Sequence, residues 1–309
     1  MSLIINLYKK SVAGRNEGDE AIPLIDPKSL SLTHECFDFV NSIGTTIKYY
    51  FYQKEVKHTD KVILFCHGIG ASGHKAYIRE IDELCSRGYK VLTLDYTGCG
   101  DSGGGSLTSM FIPTRDLNEL LNHLKLKEEV ILMGHSLGGF TALNIASIRK
   151  EIDKCIVISP LLSLYDEMIY LMKYRFIAKK IMKYEQKLLP DYASVDVKAF
   201  IKNTNINILF IQSKDDVICP FKNGLELAMS YHNPKVIPLI EDNKNHNPNY
   251  TIEAVNYMNS SITQYRELIK KHKLKTTEER FEYFKNISAM DMTTQDKKVW
   301  DEIFKFLNR

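Results

Sequence analysis

The 309-residue chain has no apolar run approaching the roughly 20 residues that a membrane-spanning helix needs. It also lacks charge of one sign: 41 basic side chains against 38 acidic ones leave +3, too little to imply a nucleic-acid partner. Its six cysteines, Cys36, Cys66, Cys85, Cys99, Cys155 and Cys219, are scattered and form no CxxC pair. Metal and disulfide frameworks are therefore unsupported, and a reducing cytoplasm is the expected location. The amino terminus lacks the charge-then-apolar order of a secretion signal, since Leu3 to Ile5 precede Lys9 and Lys10. What remains is an ordinary globular composition, 44% apolar and 26% charged, enough for one large domain over residues 1–309.

Short β-branched runs alternate with helical patterns from Lys61 onward: Val62 to Cys66, Val91 to Asp95, Val130 to Met133, Cys155 to Ile158, Ile206 to Ile211 and Val236 to Ile240. That alternation predicts parallel strands joined by crossover helices. Pro238 cannot donate to a ladder, which places the last run at the sheet edge. Ahead of this core, Glu35 to Val40 and Thr46 to Gln53 flank Asn41-Ser-Ile-Gly44 and read as an antiparallel hairpin. The expected fold class is α/β, an eight-stranded, mostly parallel sheet flanked by helices. Two stretches depart from the rhythm. Residues 161–205 are predicted to form a helical cap, in which Tyr170, Tyr174, Ile177, Ile181, Tyr184 and Leu188 make one apolar stripe. Residues 261–289 read as an extra charged, helical insert before a last amphipathic helix around Val299 to Leu307.

Four groups of residues carry chemistry. Gly134-His-Ser136-Leu137-Gly138-Gly139 stands between a strand and a helix, the setting of a nucleophile elbow, where a tight turn requires neighbours without bulk. His67-Gly68-Ile69-Gly70 follows an earlier strand, and its glycines let backbone approach a substrate oxygen. Ser213-Lys-Asp215-Asp216-Val-Ile-Cys-Pro220 follows a later strand, and His246 lies in Asn243-Lys-Asn-His-Asn-Pro248 after the last one. His232 and His272, the other histidines beyond Ser136, read as ordinary surface residues.

With Asp95-Tyr-Thr-Gly98-Cys-Gly100-Asp-Ser102-Gly103 added, this set resembles the α/β-hydrolase superfamily over roughly Lys61 to Tyr250. It is nearest in pattern to the monoglyceride lipase, serine aminopeptidase and depalmitoylase relatives. The resemblance implies hydrolysis through an acyl-enzyme, with Ser136 as nucleophile, His246 as base and Asp216 as orienting acid. Asp216 fits the family's small-x-x-Asp-x-x-x-Pro loop, and its neighbour Asp215 stays open as the alternative. Ile69 and Leu137 would donate the oxyanion amides, with His67, Gly68, Gly134 and Gly138 supporting. No cofactor or metal is implied. Two features depart from the family: Cys99 stands where an aromatic is common, and the 261–289 insert is not a usual part.

The expected substrate is a small-molecule ester with an apolar, medium-chain acyl group lodged against the Tyr, Met and Leu rich cap, since Met adapts to flexible chains. An acyl thioester ranks second and an aminopeptidase substrate third. Arg175, Lys179, Lys180, Lys183 and Lys187 beside the cap stripe would also suit an anionic membrane surface. Core packing with solvated lysines is the simpler reading and the one adopted. A non-catalytic hydrolase-fold binding protein would need all three triad residue types to stand in place by coincidence. A nicotinamide-dependent oxidoreductase is suggested by Gly68-Ile-Gly70-Ala-Ser-Gly73 with Asp95 on the next strand. Against it, Tyr77 occupies the place where a dinucleotide-binding helix packs a small residue on its sheet.

Overall fold

A computed structural model of the chain describes residues 3–12, 23–70 and 72–309. It contains one eight-stranded sheet, formed by β1 (Thr33–Val40), β2 (Thr46–Gln53), β3 (Lys61–Cys66), β4 (Lys90–Leu94), β5 (Glu129–His135), β6 (Lys154–Ile158), β7 (Asn207–Ser213) and β8 (Val236–Glu241). The spatial order is β1-β2-β4-β3-β5-β6-β7-β8. The hairpin β1–β2 pairs antiparallel with itself and with β4, and every other pairing is parallel. β8 with Pro238 is an edge strand, where the missing N–H costs no ladder bond. Asp95 falls one residue past β4 and Ile206 one residue before β7, so two expected strands end and begin slightly differently.

Alternation along the central strands divides the core in two. Val62, Leu64 and Cys66 face one layer of helices, while Ile63 and Phe65 face the other. The first layer includes α1 (Leu3–Val12), whose Ile5, Tyr8 and Val12 are buried. The second is built by α2 (Ile78–Ser86) and by the carboxy-terminal helix, whose Val299, Trp300, Ile303, Phe304, Phe306 and Leu307 are all buried. Packed against the first face are also α3 (Ile112–Leu124) and α4 (Leu137–Ile148). α4 is buried from Leu137 to Ala146, and its polar Thr141 and Asn144 side chains donate back to the Leu137 and Phe140 carbonyls.

Between β6 and β7 lie α5 (Leu164–Met172), α6 (Arg175–Leu188), α7 (Pro190–Ala193) and α8 (Val197–Asn203). The single stripe expected from Tyr170 to Leu188 is split. Lys173 adopts a left-handed φ of 62° and caps α5, so Tyr170 belongs to a different helix from Ile177 and Ile181. Ile181 is buried, whereas Tyr174 and Leu188 are exposed. Glu185 on α6 accepts hydrogen bonds from the Tyr8 and Ser109 hydroxyls and from the Met110 amide, which fastens α1 to this segment.

After β7 come α9 (Leu225–Ser230), α10 (Ile252–Lys270), α11 (Thr277–Phe284), α12 (Ala289–Met292) and α13 (Lys297–Leu307). The predicted start of the insert at Ser261 falls in the middle of α10, because the helix begins at its Thr251 cap. This region is tied back by a bridge between Tyr250 and Gln295 and by the buried Lys244 ammonium, which lies 2.7 Å from both Glu241 and Asp296. No described helix is long and apolar enough to cross a membrane.

Candidate active site

β5 ends at His135 and α4 begins at Leu137, leaving Ser136 alone to reverse the chain. Its φ of 56° and ψ of −121° lie where a residue with a side chain is strained. The turn closes only because its neighbours lack side chains. A Cβ on Gly134 would stand 2.3 Å from the Gly138 carbonyl oxygen, and one on Gly138 would stand 1.9 Å from that of Cys66. The Ser136 amide donates to the Ile158 carbonyl at 2.8 Å, fixing the elbow to β6, and Ser136 itself is partly exposed.

Asp216 and His246 meet at the carboxyl ends of β7 and β8. His246 Nδ1 lies 2.9 Å from one Asp216 oxygen and 3.1 Å from the other. The Asp216 carboxylate is buried and also accepts from the Ile218 and Cys219 amides, each at 2.9 Å. Asp215 points elsewhere: it accepts from the Ser213 hydroxyl and from the Asn245 amide. The Asn245 side chain in turn accepts from the Val217 amide. One aspartate thus holds the imidazole while its neighbour staples the two loops together. Asn243 and Asn245 take left-handed φ values of 61° and 48°, a conformation that asparagine tolerates better than most residues. His232 and His272 are exposed.

His67 and Gly68 explain how the Ile69 amide is aimed. The buried His67 ring donates from Nδ1 to the Gly68 carbonyl at 2.7 Å and lies against Tyr96, with ring centroids 4.0 Å apart. Burial drives the His67 pKa down to about 4, so the ring is neutral. Because a trans peptide sets C=O and N–H on opposite sides, holding the Gly68 carbonyl back turns the Ile69 N–H the other way. Gly68 lies against the elbow: a Cβ there would be 3.4 Å from Ser136 Cβ. The Ile69 and Leu137 amides have no hydrogen-bond partner among the described residues, and Leu137 opens α4, whose dipole favours negative charge.

A hydrogen-bond chain that sequence reasoning missed links these parts. The Gly68 amide donates to the Tyr77 hydroxyl at 3.0 Å, Tyr77 lies 2.9 Å from His135 Nδ1, and His135 Nε2 lies 2.9 Å from the His246 carbonyl. A carbonyl only accepts, so His135 carries its proton on Nε2 and takes the Tyr77 proton on Nδ1. Burial, with the His246 ring 4.8 Å away, lowers the His135 pKa to about 3 and keeps it neutral. The bulk of Tyr77, a mismatch to a dinucleotide-binding helix, was the one available signal. Among the described residues no hydrogen bond joins Ser136 Oγ to His246, and no cluster of three ligand-type side chains is placed to hold a metal.

The family model described as "Serine aminopeptidase, S33" matches residues 57–277, a span that includes the elbow and both loops. The lysophosphatidylserine lipase ABHD12 of Danio rerio is 28% identical over 193 residues, covering 57% of this chain and 49% of that protein. The uncharacterized protein YqkD of Bacillus subtilis is 27% identical over 206 residues, covering 62% of this chain and 67% of its own length. The chain therefore spans about half the length of the lipase it matches. Among solved structures, a Pyrococcus furiosus esterase superposes with a TM-score of 0.57 at 21% identity, covering 81% of this chain and 96% of that one. An α/β serine hydrolase homologue from Coxiella burnetii gives 0.51 at 14% identity, covering 77% and 96%. With the matched span reaching from β3 past β8, most of the chain, the protein belongs to the serine aminopeptidase S33 family of α/β-hydrolases.

Proposed function

We propose that the protein is a serine hydrolase that cleaves carboxylic esters through an acyl-enzyme formed on Ser136. What supports this reading is one strained serine whose neighbour His135 bonds the His246 carbonyl, a His246 ring backed by Asp216, and the Ile69 and Leu137 amides, which have no partner among the described residues. His246, its Nδ1 proton held by Asp216, takes the Ser136 proton on Nε2 as Oγ attacks the carbonyl carbon. This contact closes with substrate in place. The oxyanion is received by the Ile69 and Leu137 amides. The alkoxide leaves with the proton from His246, and water then attacks the acyl-enzyme by the reverse sequence. Helices α5 to α8 act as a cap over the acid loop, where the Tyr170 hydroxyl donates to the Val217 carbonyl.

The test is kcat/KM for a p-nitrophenyl ester beside an acyl thioester and an aminoacyl anilide. The reading expects the ester to lead. A preference for the anilide would make the protein an aminopeptidase, and turnover of none of the three would leave a binding protein on a hydrolase fold.

A further inference from the structure

A cavity of about 380 Å³ opens beside the oxyanion loop, within the size range of small-molecule sites. Ile69 and Gly70 form one wall, Tyr77 and Asn247 lie along it, and the opposite side is made by Met258, Ile262 and Met292. It thus starts at the residue proposed to bind the oxyanion and at the residue after His246. Its far wall comes from α10 and α12, in the carboxy-terminal part of the chain, with Leu24 closing the side. Residues 161–205 contribute nothing to its lining among the described residues, which departs from the expectation that the cap receives the acyl chain. Ala178 and Ile181 instead face the core, and Tyr174 and Phe176 face solvent.

We propose that this cavity is the acyl-binding subsite, so that the fatty chain of the substrate lies between the oxyanion loop and α10–α12. The inference rests on the ester hydrolase reading above. The lining chemistry selects the ligand class. Two methionine thioethers and branched aliphatic side chains face the space, a surface that adapts to a flexible hydrocarbon. Among the described residues no Asp or Glu side chain lines it, so none of them offers an α-ammonium a counter-charge there. The single charged lining residue among the described ones, Lys75, is already paired with Asp101 at 2.7 Å. Because Ile69 both offers the proposed oxyanion amide and lines the cavity, the proposal lays the acyl carbons along Ile69 into this space.

The test is a p-nitrophenyl ester series from acetate to dodecanoate on the full chain. In the unaltered protein kcat/KM rises with chain length by up to about fourfold per methylene until the cavity is full, then levels off. Ile262→Trp fills the cavity and lowers octanoate turnover by at least about tenfold while acetate stays within about twofold, which also shows that the variant is folded. Met258→Ala and Met292→Ala, milder changes, move the best chain length upward. Phe176→Ala on α6 leaves both substrates within about twofold. Equal losses on acetate and octanoate in a folded Ile262→Trp, or octanoate loss only in Phe176→Ala, overturn the subsite. Failure of the underlying reading has a different signature: the unaltered protein hydrolyses no ester and takes no fluorophosphonate.

Discussion

Two histidine–aspartate pairs stand at the carboxyl edge of the sheet, and what meets the far ring nitrogen separates them. In His74–Asp95 the rings and carboxylate are sealed, with 1% and 0% of the side chains exposed, and His74 Nε2 is taken by the Tyr52 hydroxyl at 2.9 Å. In His246–Asp216 the carboxylate is equally buried, but 12% of the histidine is exposed and its Nε2 has no partner among the described residues. Asp95 also accepts from the His74 and Asp101 amides, each at 2.9 Å, and so clamps the turns at Gly73 and Gly100. Burial works to raise its carboxyl, yet His74, His67 and the Asp101 amide together hold it below the ordinary range. The same two side-chain types thus form a structural clamp where every atom is satisfied and, in the proposed mechanism, a base where one nitrogen is left without a partner among the described residues.

The account separates the two pairs by experiment. Ser136→Ala or His246→Ala should lower kcat by about 10⁴-fold or more, and the double variant should lose little beyond either, because the groups act as a unit. Additive losses in steady-state kinetics would break that assignment. Asp216→Asn should cost about 10²- to 10⁴-fold in kcat, whereas Asp215→Asn should stay within about tenfold and show itself mainly as a lower Tm. Breaking the sealed pair with Asp95→Asn should cost about 3–5 kcal/mol, seen as a Tm lower by roughly 6–10 °C, with kcat per labelled site changed less than about tenfold. A catalytic loss as large as that of Asp216→Asn would erase the distinction between clamp and base.

The smallest effect concerns Glu167, buried on α5 beside Asp216. Burial, then the Asp216 charge, raises its pKa to about 7. Its folded-state pKa lies above the unfolded value, so the stability tied to its protonated form is fully present below about pH 4.5 and is lost as pH rises through about 7. Glu167→Gln should therefore raise Tm by about 2–4 °C at pH 8 and leave it nearly unchanged at pH 4. Thermal scans showing the reverse order would contradict the buried placement.

The sheet was legible because buried parallel strands must be β-branched runs and the elbow must have glycines on both sides. Asp216 was separable from Asp215 only by the family's loop pattern, since adjacency in sequence says nothing about which carboxylate turns to His246 and which to the Asn245 amide. The break at Lys173 was hidden because any residue can cap a helix at some cost, so a continuous apolar period ran across two helices. Tyr77 and His135 carry no motif; their roles exist only where α2, β5 and the His246 loop come together. The cavity was equally hidden, with walls drawn from Leu24, Ile69, Met258 and Met292, four segments that only the fold makes neighbours.

The most direct test of the central claim is fluorophosphonate labelling followed by peptide mass mapping. The account predicts one stoichiometric adduct on Ser136, absent in Ser136→Ala and strongly slowed in His246→Ala, while Asp95→Asn still labels. An adduct on another residue, or a folded protein that never labels, would contradict it.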